Sequence, residues 1–233
     1  MSYQIPDNAS LERMMDYTTG VVASLSAMPE TAALVKPWQP VAEKLRAERD
    51  ARDTTRAAQL AAAAKVRVCD ARWDAVVTEL SGRAYLAGGK DAMKEPYVSL
   101  FGSVRAADAT ALGPYKATVF GRKLLARLGE LGHTDLKDMT AALASINTEL
   151  ERAATGRTEM AEKAAAHEVR RHKLVEEIEA LVAQTEVGVL TALPGKSTIS
   201  RTMLSWNSHV SRSTRTRVMT ETSAQATEGG PTV

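Results

Sequence analysis

The chain has 233 residues, with 30 basic against 28 acidic side chains and a single cysteine. That near-balance singles out no class of charged partner, and one cysteine excludes an internal disulfide framework. Aromatics make up only 4% of the chain while apolar residues reach 44%. Much of the apolar count is alanine, the best helix former, so thin contacts between closely spaced helices are expected rather than a thick aromatic core.

Met1-Ser2-Tyr3-Gln4-Ile5-Pro6 lacks the basic and apolar regions of a signal peptide. No stretch approaches the 18 or so apolar residues of a membrane span. A cytoplasmic protein without a transmembrane segment is the expectation.

The first helix is expected over about 9 to 27, capped by Asp7 or Asn8 and ended by Pro29. A short turn of helix follows at 30–35, and Pro37 and Pro40 bracket Trp38 in a non-helical connector. Residues 1–40 thus form an N-terminal helix and a proline-rich connector.

A long helix is expected from near Val41 to Ala87, stopped by Gly88-Gly89. Its inward stripe is written Ala47, Ala51, Thr55, Ala58, Ala62, Val66, Cys69, Trp73, Val76, Leu80, Ala84, Ala87. Glycines and prolines break up residues 88–133, where a short helix near 97–110 and another over 115–131 are expected. Four of the ten aromatics fall in this segment. Tyr97, Phe101, Tyr115 and Phe120 are candidate contacts at a tip, or a small local core closing the bundle.

The strongest periodicity lies at 134–182, with Thr134 as N-cap. Leu136, Met139, Leu143, Ile146, Leu150, Ala153, Gly156, Met160, Ala164, His167, Arg171, Leu174, Ile178 and Leu181 follow in steps of three and four. A helix of that length runs roughly 75 Å. Val187-Gly188-Val189 weakens it and Pro194-Gly195 ends it.

The two long helices can be laid antiparallel. With Ala87 near Thr134, Leu80 faces the Leu143 region and Val66 the Ala154 region, while Thr55 falls near His167 and Ala51 near Arg171. The predicted fold is all-α: an elongated antiparallel helical bundle of two long helices and two to three shorter ones. A long hairpin spans 41–195, with its short-helix tip at 88–133, and a flexible tail follows at 196–233. That tail is basic and rich in serine and threonine, a composition that does not fold alone. The patch Ile199, Met203, Leu204, Trp206 is the exception, suited to docking on the bundle or on a partner.

Three motifs fail on spacing. His167 and His172 resemble the zinc pair of H-E-x-x-H, but stand five residues apart, about 140° around a helix, so they cannot share an ion. No glutamate has a histidine three residues later, as ferritin-like di-iron sites require. Gly195-Lys196-Ser197-Thr198 ends like a phosphate-binding loop, but position 190 is Leu190 where that loop needs glycine. No metal, cofactor or catalytic residue is assigned, and an enzyme is not expected. Cys69, on the inward stripe beside Trp73, reads as a core residue.

The leading expectation is a non-enzymatic structural or interaction protein, a subunit of a larger homo- or hetero-oligomeric assembly. The alternative is a nucleic-acid-associated protein using Lys196, Arg201, Arg212, Arg215 and Arg217, among which no acid intervenes. Trp206 could stack on a base there. The same residues are candidate contacts for a protein partner. A membrane-active helical protein is the third reading.

Overall fold

The structure is a computed structural model, and it describes residues 5–210. The described residues form helices and turns, with no strand among them. The order is α1 Leu11–Ser26, a 3-10 turn Ala32–Val35, α2 Trp38–Ala87, α3 Tyr97–Phe101, α4 Ala106–Thr110 and α5 Pro114–Leu131. A 3-10 turn Thr134–Leu136, α6 Lys137–Ala192, α7 Ser197–Leu204 and α8 Trp206–Val210 complete it. The chain divides into two compact units: unit 1 is Met1–Asp53 with Ala166–Val233, and unit 2 is Thr54–Ala165.

Unit 1 packs α1, the start of α2, the end of α6 and α7–α8 around one core. The N-cap of α1 is Ser10, not Asp7 or Asn8; its Oγ accepts the Arg13 N–H at 3.3 Å. Met14, Tyr17, Val21 and Leu25 then bury the helical face. α2 starts at Trp38, earlier than expected. Pro40 sits in the first turn, where its missing N–H breaks no helical bond. Trp38 is fully buried and its Nε1 donates to Thr185 Oγ1 at 3.0 Å, which anchors the helix start. Ala47 and Ala51 are exposed, contrary to the expected stripe. The inward positions are Val41 and Leu45, both buried, and then Glu48 and Arg52, both half-buried.

α6 runs through the expected weak point at Val187-Gly188-Val189 to Ala192, just before the expected stop at Pro194-Gly195. The reason is burial: Thr185, Val189 and Leu193 continue the apolar face. Gly188 is a packing glycine, since a Cβ there would overlap the Leu34 side chain. Residues 197–210, inside the stretch expected to lack structure alone, form two short helices. Met203 and Leu204 are buried in the unit 1 core, with Ile199, Trp206 and Val210 packed against it.

Unit 2 holds the rest of the two long helices, with α3, α4 and α5. Its inward residues on α6 are Leu136, Met139, Leu143, Ile146, Leu150 and Ala153, and on α2 Val66, Cys69, Trp73, Val77, Leu80 and Ala84. The long helices are antiparallel here: Arg83 pairs with Asp138 at 2.7 Å and Arg72 with Glu149 at 2.7 Å. Leu100, Phe101, Leu124 and Leu128 close the core from the shorter helices. Residues 54–65 and 154–165 contain no buried side chain. Ala58, Ala62, Gly156 and Ala164 leave too little apolar area there to exclude water fully.

Candidate functional site

In unit 1 the apolar seam between α2 and α6 gives way to charge. Glu48 projects inward one helical turn after Leu45, and its side chain is only 11% exposed. Arg170 Nε donates to Glu48 Oε1 at 3.0 Å and Oε2 at 2.8 Å. His167 is 6% exposed, and its Nδ1 lies 2.5 Å from Glu48 Oε1 and 2.8 Å from Arg170 Nη2. One largely buried carboxylate therefore gathers an imidazole and a half-exposed guanidinium, the latter through a charge-assisted pair of hydrogen bonds.

Beside this group lies a cavity of ≈ 310 Å³, lined by Ser10, Leu11, Arg52, His167, Glu168 and Arg171 among others. Its arginines are committed to the protein. Arg52 bonds Glu12 at 2.5 Å and Asp53 at 2.8 Å. Arg171 bonds Glu168 at 2.8 Å and the Asp7 and Ala9 carbonyls at 2.7 and 3.1 Å. The hydrogen bond from Arg52 holds the Glu12 carboxyl well below its ordinary value, at about 2. Arg171 in the same way lowers Glu168. The arrangement ties the N-terminal segment to α6 and fixes the α2–α6 register.

His172 sits beside Arg171 and Glu168: its Nδ1 lies 2.8 Å from the Glu168 carbonyl and its Nε2 3.4 Å from Arg171 Nη2. No group of three or more metal-ligating side chains occurs among the described residues. No helix among them is long and apolar enough to cross a membrane.

Of the sequence-picked tail residues, Lys196 and Arg201 are exposed and Trp206 is half-buried, its ring 5.0 Å from that of Tyr17. Trp206 thus packs within unit 1. Arg212, Arg215 and Arg217 lie outside the described residues. At the other candidate surface, Phe101 is buried, stacked on Tyr97 at 5.1 Å and tilted against Phe120 at 6.4 Å. These three build a local core in unit 2, and Tyr115 alone of the four is open, at 77% exposure.

Sequence reading missed Glu48 as a core-facing residue and missed a second apolar face on α2. Ala57, Ala61, Ala64, Val68, Ala71 and Ala75 recur in steps of four and three, and all are exposed. On a helix they form one stripe opposite Val66, Trp73 and Val77. Leu60, beside them, is 63% exposed and Val68 59%. The outward positions of α6 in the same unit are polar instead: Ser145, Thr148, Arg152, Thr155 and Glu159. Exposed Arg56, Lys65, Arg67 and Arg72 flank the α2 stripe.

No family model, curated protein or solved structure matches this chain.

Proposed function

We propose that the chain is a non-enzymatic structural or interaction protein, a subunit of a larger assembly. The outward apolar face of α2 carries this reading. A helix in water keeps its solvent side polar, as α6 does from Ser145 to Glu159, and an uncovered apolar stripe opposite the core marks a surface made to be covered. The flanking cations suit a partner surface with acidic rims. In a parallel pairing of this face with its own copy, Arg67 would meet Arg72, a like-charge contact that disfavours it. The cytoplasmic location expected from the sequence belongs to the same proposal.

The test is size-exclusion chromatography with light scattering on the complex purified from its source, compared with a Val68→Glu chain. The intact chain should co-migrate with a partner or with copies of itself, and Val68→Glu should release it while leaving its thermal unfolding unchanged. A monodisperse monomer with nothing bound would overturn the reading.

A second reading, nucleic-acid association, draws on exposed Lys196 and Arg201. It requires the intact chain to bind generic DNA or RNA at low salt and lose that binding as salt rises.

A further inference from the structure

We propose that α7–α8 is an exchangeable arm, and that the groove it fills on unit 1 also accepts the α7–α8 arm of a second copy of this chain. The groove is cut for this segment. Gly20 stands in the middle of α1, where glycine weakens a helix relative to alanine. A Cβ at that position would overlap the His209 ring. The missing side chain is the seat of His209. Next to it the buried Tyr17 hydroxyl donates to the Leu204 carbonyl at 2.8 Å, a bond read from the arm's backbone. Trp206 and His209 lie against the Tyr17 ring at 5.0 and 5.9 Å. Any arm with these residues finds the same contacts, whichever chain supplies it.

Two observations make the arm separable. It joins α6 through residues 193–196 alone, where Pro194 ends the helix and Gly195 holds a left-handed φ of +77°. The arm also binds imperfectly. The Ser200 hydroxyl is buried with no hydrogen-bond partner, which weakens docking and favours local opening. An arm that opens without unfolding its groove can close on a neighbour and recover every contact, so concentration sets the balance between the closed and exchanged forms.

This deepens the assembly reading and rests on it for the encounter of two copies, but it uses unit 1 rather than the α2 face. Complementary full-length variants test it, both carrying Cys69→Ala. One carries Gly20→Cys and keeps His209. The other carries His209→Cys and keeps Gly20. A disulfide between positions 20 and 209 can then form only when the arm of the second chain occupies the groove of the first; a Cβ at 20 stands 2.9 Å from that of His209 and must move out to disulfide spacing, so the double variant on one chain checks that the bond closes there. After mixing and oxidation, linked dimer should exceed that of either variant alone at least tenfold. Equal yields in the mixture and the single variants would overturn the proposal. The double variant on one chain is the second measurement. It should give linked dimer that increases with protein concentration, and closure within single chains at every concentration would also overturn the proposal. Loss of assembly on Val68→Glu with cross-linking retained would separate the two readings, as would the reverse.

Discussion

Gly121 of α5 lies against the Asn147 amide of α6, whose Oδ1 accepts the Trp73 indole N–H at 3.2 Å. Both partners of that bond are buried. A Cβ on Gly121 would collide with the amide. One missing side chain thus lets three helices of unit 2 share a single polar contact.

Gly121→Ala should therefore destabilise unit 2 by about 2 kcal/mol, the range of an overpacked core site. Trp73→Phe should do the same by leaving the Asn147 oxygen unpaired, again by about 2 kcal/mol. Urea unfolding followed by hydrogen exchange of α5 amides measures both. In the double variant the losses should not add, because both act on one contact.

Glu48→Ala is expected to cost about 3 kcal/mol, since it strips the buried His167 and its guanidinium neighbour of their shared anion. Replacing Arg170, which is 48% exposed, should cost much less. Equal losses for Glu48→Ala and Arg170→Ala would show that the carboxylate is not the centre of the group.

Acid should loosen unit 1 through Glu12. Its folded value of about 2 lies below the ordinary 4.5, so its contribution is present above 4.5. That contribution is lost as pH falls from 4.5 through about 2. An Arg52→Gln chain should show a shallower loss of α1 hydrogen-exchange protection across that window. Both side chains are partly exposed, so added salt should reduce the difference.

Asp70 runs the other way. Burial raises its carboxyl above the ordinary value, and Asp74 is raised likewise by burial and by the neighbouring Asp70 charge. Asp70 Oδ1 is also buried without a hydrogen-bond partner. A raised carboxyl favours folding below its ordinary value, and that advantage fades as pH rises through the folded value. Asp70→Ala should accordingly raise the urea midpoint at neutral pH, and the gain should vanish by about pH 3.

The stripe on α6 was legible because nearly every member from Leu136 to Ala153 is large and apolar or sits between such residues. Their burial follows the three-and-four spacing directly. The antiparallel register was legible for the same reason, and Arg83–Asp138 and Arg72–Glu149 follow it in unit 2. Unit 1 was harder. Alanines at 47 and 51 drew the α2 stripe to the wrong side, since apolar character suggested burial. Counting back from Val66 in heptad steps lands on Thr55, Arg52, Glu48, Leu45, Val41 and Trp38, so the polar seam was present as a period but disguised by chemistry. Gly188 looked like a helix breaker because its true role depends on Leu34, far away in sequence. Gly20 and Gly121 were unreadable for the same reason: a glycine that makes room gives no local sign of what fills it.

The division of the chain at 53 and 165 has a consequence for how it is made. Unit 2 is one uninterrupted stretch of sequence, Thr54–Ala165, and unit 1 draws on the stretches before and after it. During synthesis every residue of unit 2 is available while α1 and the start of α2 still await the end of α6. The first 53 residues must therefore be held, with Trp38, Leu45 and Tyr17 unsheltered, until the last third of the chain arrives. Any chaperone requirement should fall on that waiting segment, and a stop in translation near 165 should leave a folded unit 2 behind an unfolded leader.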